Sequence, residues 1–244
     1  MADVALVLHA ETMWASPYVF SSWVALHEKG LPFTVREVSL VDLENRARAY
    51  QDRTVTAKVP ALEHGPFCVA ESSAIAEYLE DVFPPPAHPR LLPADARDRA
   101  RARQLMAWFR SDLAALRVER PTVTMFYDPA HTALTPAGAA AAAALVRVAE
   151  QMIGDADRPL FGTWSLVDAE LAFMLHRLIL NSHDLPPRVR AWAKGEWRRP
   201  STQGFLSHPR PEVLPEAYWE MPANAGASRP WRPGTVARAR RDLR

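Results

Sequence analysis

The spacing of apolar and polar positions changes several times in the first third of the chain, and each change predicts an element. Residues 5–9 (ALVLH) form an apolar run of strand length. Over 17–29 the apolar residues, Val19, Trp23 and Leu26 among them, recur at helical spacing, and Gly30 stops the run. Alternation resumes over 33–40 (FTVREVSL), which predicts a second strand. The Arg-rich stretch 44–56 has no clean period and is read as a short helix or loop. Two short strands, 59–63 and 67–70, flank His64-Gly65-Pro66 as a hairpin, and 72–81 is a helix with Ile75, Ala76 and Leu79 on one face. The order β-α-β, connector, β-β-α is that of an α/β thioredoxin-like domain in which parallel and antiparallel strands share one sheet.

Pro84-Pro85-Pro86 and Pro89 break this pattern, because a helix cannot continue through them. A first domain is therefore expected over 1–85. Beyond the prolines the period is helical, over 94–118, 136–153, 166–181 and 187–197, so an all-α domain is expected over 92–207. The remaining extension, 208–244, holds six prolines, and six arginines fall between Arg229 and Arg244. That composition predicts a tail that wraps a surface or stays mobile.

Charge and cysteine usage narrow the function classes. Basic and acidic residues number 29 and 28, so there is no electrostatic case for nucleic acid or an anionic membrane as the main partner. One cysteine, Cys68, allows no internal disulfide or multi-cysteine metal site, and on the fourth strand it is expected to serve as a small buried hydrophobe. The N-terminus lacks the basic region of a secretory signal, and no run approaches the roughly 18 apolar residues of a membrane span. A cytoplasmic location follows as the expectation. The histidines are scattered without HExxH spacing, and no glycine-rich phosphate loop occurs, so neither a metal nor a nucleotide cofactor is expected.

Four local motifs remain. Ser16-Pro17-Tyr18 opens the first helix; serine and proline are the preferred residues at a helix start, and a hydroxyl there could also donate to a thiolate beside the positive end of the helix. Lys58-Val59-Pro60 enters a strand, where the proline marks either an edge or a cis turn that leaves the Val59 backbone open to an added peptide strand. Glu71-Ser72-Ser73 precedes a helix; Ser72 could cap it, while the helix start with Glu71 beside it could hold the carboxylate and ammonium of an α-amino acid. Ser165-Leu166-Val167-Asp168 is a capping box and is read as structural.

Taken in order and spacing, SPY, VPAL, ESSAIAEYLED and SLVDAELA resemble the glutathione transferase family from about residue 5 to residue 206, and most of all its bacterial serine-type members. The resemblance implies a glutathione site on the first domain, a variable acceptor site between domains, and a homodimer. Ser16 would hydrogen-bond the glutathione sulfur, Val59 with Pro60 in cis would pair with the cysteinyl backbone, Lys58 would reach a terminal carboxylate, and Glu71 and Ser72 would hold the γ-glutamyl end. The partners implied are glutathione, as co-substrate, and an electrophilic small molecule, with a role in detoxification. The segment before Val59 reads TVTAK and lacks the Asn-Pro-x-Gly common in the family, which leaves the glycyl contacts open. Met13, Trp14, Trp108, Phe109, Phe126 and Tyr127 are the candidates for the acceptor pocket. A glutathione-dependent isomerase or peroxidase, and a non-catalytic interaction module on the same fold, are the alternative readings.

Overall fold

Strand β1 (Leu6–Glu11) lies inside a four-stranded sheet of order β2-β1-β3-β4 in the computed structural model of the chain, which describes residues 5–155, 157–215 and Tyr218. It runs parallel to β2 (Phe33–Val38) and antiparallel to β3 (Ala61–His64), which pairs antiparallel with β4 (Phe67–Ala70). Period-two alternation divides the residues between two faces. Leu8 and Leu62, opposite each other and without exposure, lie on the face whose neighbouring His64 bonds from Nδ1 to the Tyr78 hydroxyl of α3 (Ser72–Val82) at 2.7 Å. Helix α1 (Pro17–Glu28) buries Val19, Phe20, Val24 and Leu26, and α3 buries Ile75, Ala76 and Leu79. The opposite face carries His9 and Glu63, and α2 (Arg48–Thr54) reaches it with Arg53, which pairs with Glu63, and with Tyr50, whose ring centroid is 5.6 Å from that of His9.

The chain divides into two compact units. The first comprises Met1–Leu91 and His208–Arg210, so the stretch after the last helix contributes three residues to the unit that holds the sheet. Its proline-rich connector is tied down by Lys29 at the end of α1. The Lys29 ammonium is buried, and its hydration is replaced by the carbonyls of Phe83 at 2.8 Å and Pro89 at 3.0 Å, with Glu80 at 3.7 Å. Peptide bonds 59–60 and 85–86 are cis.

The second unit, Leu92–Ser207 with Pro211–Arg244, is helical through α4 (Ala96–Ser111), α5 (Ala114–Glu119), α6 (Val123–Phe126), α7 (Pro136–Met152), α8 (Leu166–Ile179), α9 (Pro187–Trp197) and α10 (Pro200–Leu206). Helix α8 is its core, with Leu166, Val167, Leu171, Phe173, Leu175 and Leu178 at 1% exposure or less. The capping box forms as expected: the Ser165 amide and hydroxyl donate to Asp168 Oδ2 at 2.9 and 2.8 Å, and the Leu160 amide donates to Oδ1 at 2.7 Å. Arg110 forks onto Glu170 with two bonds of 2.7 Å, joining α4 to α8.

The single helix expected over 94–118 is two. Asp112 and Leu113 interrupt it, after a last turn in which the Ser111 hydroxyl is bonded to the Ala107 carbonyl and to Asp112, the competition with backbone hydrogen bonds that these residue types bring. Helices α6 and α10 were not legible, being too short to show a period. The six arginines from Arg229 onward lie outside the described residues.

Candidate functional site

The strand register gathers the three sequence motifs of the first unit at one end of the sheet. His9, near the C-terminal end of β1, faces Ala61 at the start of β3, and Ala61 faces Ala70 at the end of β4. The turn 12–16 that leaves β1, the segment Lys58-Val59-Pro60 that enters β3, and Glu71-Ser72 that leaves β4 therefore all emerge there.

Ser16 is the N-cap of α1, half-buried, with φ −70° and ψ 126°. Its Oγ accepts the amides of Tyr18 at 3.2 Å and Val19 at 3.3 Å. Both bonds use oxygen lone pairs, so the hydroxyl proton remains available to an acceptor outside the helix. Capping and donation to a ligand are thus compatible in one side chain. Pro17 fills the first helical position, where a missing N–H costs nothing.

The turn behind Ser16 is held by groups far apart in sequence. Glu11, 4% exposed, accepts the amides of Ala15 and Ser16 on Oε1, both at 2.7 Å. Burial pushes its pKa up to about 7, against the pull of the amides and of the Arg210 charge. Trp14 sits at φ +46°, and its amide donates to the Glu11 carbonyl at 3.1 Å. Its indole is stacked on His208 at 3.5 Å, meets Trp23 edge-on, and donates from Nε1 to Glu37 at 2.8 Å. Arg210 Nε donates to the Trp14 carbonyl at 3.0 Å. An acid at the end of an apolar strand was the one local hint of this arrangement; nothing local pointed to His208 or Arg210.

At the second segment, the Val59–Pro60 bond is cis, and among the described residues the Val59 N–H and C=O form no hydrogen bond. The residues before it are anchored from one side: the Ala57 carbonyl, at φ +55°, accepts Asn45 at 2.9 Å, and the Lys58 carbonyl accepts the Tyr50 hydroxyl at 3.1 Å. The Lys58 side chain is exposed. At the third segment the cap position of α3 belongs to Glu71, not Ser72, which is the first helical residue and is 3% exposed. Glu71 is exposed, at φ +72° and ψ 116°, and its side chain caps nothing. Non-glycine residues hold such a conformation only where the surroundings enforce it, most often at binding sites. The first turn of α3 contains no acid, and the positive end of a helix is where an anion binds best.

The aromatic candidates are less available. Trp14 is 1% exposed, with one face covered by His208, so its ring cannot line a pocket; Met13, Phe109, Phe126 and Tyr127 are buried as well. Trp108 is half-buried and borders a groove of about 430 Å³ with Arg101, Leu105 and Arg147 in the second unit. Cys68 is half-buried instead of fully buried, and burial pushes its thiol pKa up, away from a reactive thiolate. Among the described residues no three or more His, Cys, Asp or Glu side chains are grouped to hold a metal, and no helix is long and apolar enough to cross a membrane.

This arrangement has relatives. Residues 15–82 match the glutathione S-transferase N-terminal domain and 95–209 the glutathione S-transferase C-terminal domain. A crystal structure of a glutathione transferase homologue from Burkholderia, with bound glutathione, is 35% identical, has a TM-score of 0.68, and is matched over 83% of this chain and 96% of that one. The chain belongs to the glutathione transferase family. Glutathione S-transferase U13 of Arabidopsis thaliana is 34% identical over 37% of this chain and 39% of its own length, and maleylpyruvate isomerase of Ralstonia is 38% identical over 38% and 43%. The chain thus spans about two fifths of the length of these curated relatives.

Proposed function

We propose that this glutathione transferase family member binds reduced glutathione at the described sheet end and stabilises its thiolate for attack on an electrophilic small molecule. The observation that carries the reading is Ser16: a half-exposed hydroxyl at a helix start whose acceptor capacity is used by Tyr18 and Val19 and whose proton is not. A sulfur at that hydroxyl gains a charge-assisted hydrogen bond and the positive end of α1 together. The open Val59 backbone beside a cis proline suits an extended cysteinyl unit. Glu71 and the start of α3 suit the ammonium and carboxylate of the γ-glutamyl group, with Lys58 left for the glycyl carboxylate. We place the chain with the bacterial serine-type members, acting as a cytoplasmic homodimer in detoxification. Calorimetry tests the reading: reduced glutathione should bind, and absence of binding at millimolar concentration refutes it.

A second reading, a glutathione-dependent isomerase, is favoured by the match to the Ralstonia maleylpyruvate isomerase. It starts from the same thiolate but releases glutathione unchanged. Following glutathione during turnover separates the two: conjugation consumes it stoichiometrically, whereas isomerisation leaves its concentration constant.

A further inference from the structure

Neither the capping of α1 nor the docking of a thiol peptide requires a carboxylate at the end of β1, yet Glu11 is buried there. Its hydration is replaced by the amides of Ala15 and Ser16, both at 2.7 Å, with the Met13 amide and the charge of Arg210 also favouring the ionised form. Arg210 is fixed by its bond to the Trp14 carbonyl, and His208 by its stack on the indole. Trp14, at φ +46°, is wedged in a conformation that a bulky residue does not adopt unaided. One buried acid and one returning strand of chain therefore hold the turn that ends in Ser16.

We propose that Glu11 is a positioning residue for Ser16, and that its charge sets the ionisation of the thiol bound there. The second half of the proposal rests on the reading of Ser16 as donor to a glutathione sulfur. Ser16 is then bonded in two directions, its amide to Glu11 and its hydroxyl to the sulfur. A thiolate would form one residue away from a second anion, and two negative charges at that range disfavour each other. Burial already holds the Glu11 pKa up at about 7, so Glu11 accepts a proton near neutral pH. The thiol proton leaves to solvent as the S–H bond breaks, a solvent proton neutralises Glu11, and the two steps nearly cancel.

The other charged groups around the turn are engaged elsewhere. Glu37 on β2 holds the Trp14 indole, and His208 stacks on its face. Two residues back on the same face of β1, His9 lies 2.9 Å from Glu63, which also faces Arg36 and Arg53. Arg210 is the cation that acts on Glu11.

Amide resonances of Ala15 and Ser16, followed against pH in the free protein, read the Glu11 charge directly. One inflection near pH 7 is expected, shifted upward in Arg210→Gln and absent in Glu11→Gln. In the glutathione complex, Glu11→Gln keeps an oxygen for the two amides but removes the charge, and should lower the thiol midpoint by about one pH unit. A glutamate with a merely structural role would leave that midpoint unmoved. The proposal is overturned if the amides show no inflection between about pH 5 and 9, or if the thiol midpoint in Glu11→Gln stays or rises. If glutathione does not bind, the proposed function fails by itself. The amide titration of the free protein and of Arg210→Gln then still decides whether Glu11 holds Ser16.

Discussion

Replacing Ser16 with alanine removes two things that the structure separates. The first is the N-cap of α1, two bonds of 3.2 and 3.3 Å to the amides of Tyr18 and Val19. Loss of a serine cap costs about 1 kcal/mol. Here Tyr18 is exposed, so solvent can serve its amide, and the Ser16 amide stays bound to Glu11, whereas Val19 is buried, so the middle of the usual range applies. The second is the hydroxyl proton, which in the proposed complex donates to the sulfur. A hydrogen bond to a charged group contributes about 1.5–3 kcal/mol, which is about one to two pH units on the thiol. An unperturbed thiol ionises near pH 8.5. Taken alone, the serine donor should therefore bring the thiolate midpoint of the complex down to about pH 6.5–7.5, by the same arithmetic. The Ser16→Ala complex should return toward the unperturbed value. Glutathione affinity at pH 6, where the thiol is protonated, should change little. Ser16→Thr supplies the control, because threonine both caps and donates and should restore most of the shift. If Ser16→Ala lowers stability by its cap term while the thiolate titration and turnover stay put, Ser16 is a cap alone.

Ser72→Ala and Glu71→Gln should each weaken glutathione binding about tenfold or more by calorimetry, the loss expected for a bond to a charged group; unchanged affinity would move the γ-glutamyl site elsewhere. Stability should depend on pH through Glu11. Its folded pKa of about 7 exceeds the ordinary value of 4.5, so its contribution is fully present below about pH 4.5 and is lost as pH rises through 7. Urea titrations should accordingly show Glu11→Gln gaining on the wild type by up to about 3 kcal/mol between those limits, and a pH-independent difference would contradict this. Asp168→Ala strips three donors of their acceptor in a fully buried box and should destabilise the protein by about 3 kcal/mol or more, with Asp168→Asn losing less.

What the chain dictates locally could be read without coordinates. An apolar run, one stretch of period-two alternation and a turn between two short segments located the four strands, and helical spacing located α1 and α3, since those patterns follow from backbone geometry and from the burial of a face. The caps at Ser16 and Ser165 were equally legible, because a cap bonds within three residues of itself. Near-neighbour rules also misplace things by small amounts: the cap of α3 is Glu71 instead of Ser72, and the helix expected over 94–118 breaks at Asp112-Leu113. Tertiary structure decided what joins distant segments. The sheet register brings Ser16, Val59 and Glu71 to one end, which no single motif contains. It also buries Trp14, which looked like a pocket residue, because His208 arrives from far along the chain to cover it. The Glu11–Arg210 arrangement is the clearest case. A carboxylate's pKa is set by its burial and by the groups and charges around it, and here one of those charges, Arg210, sits at the opposite end of the described chain, so the sequence around Glu11 carries no trace of it.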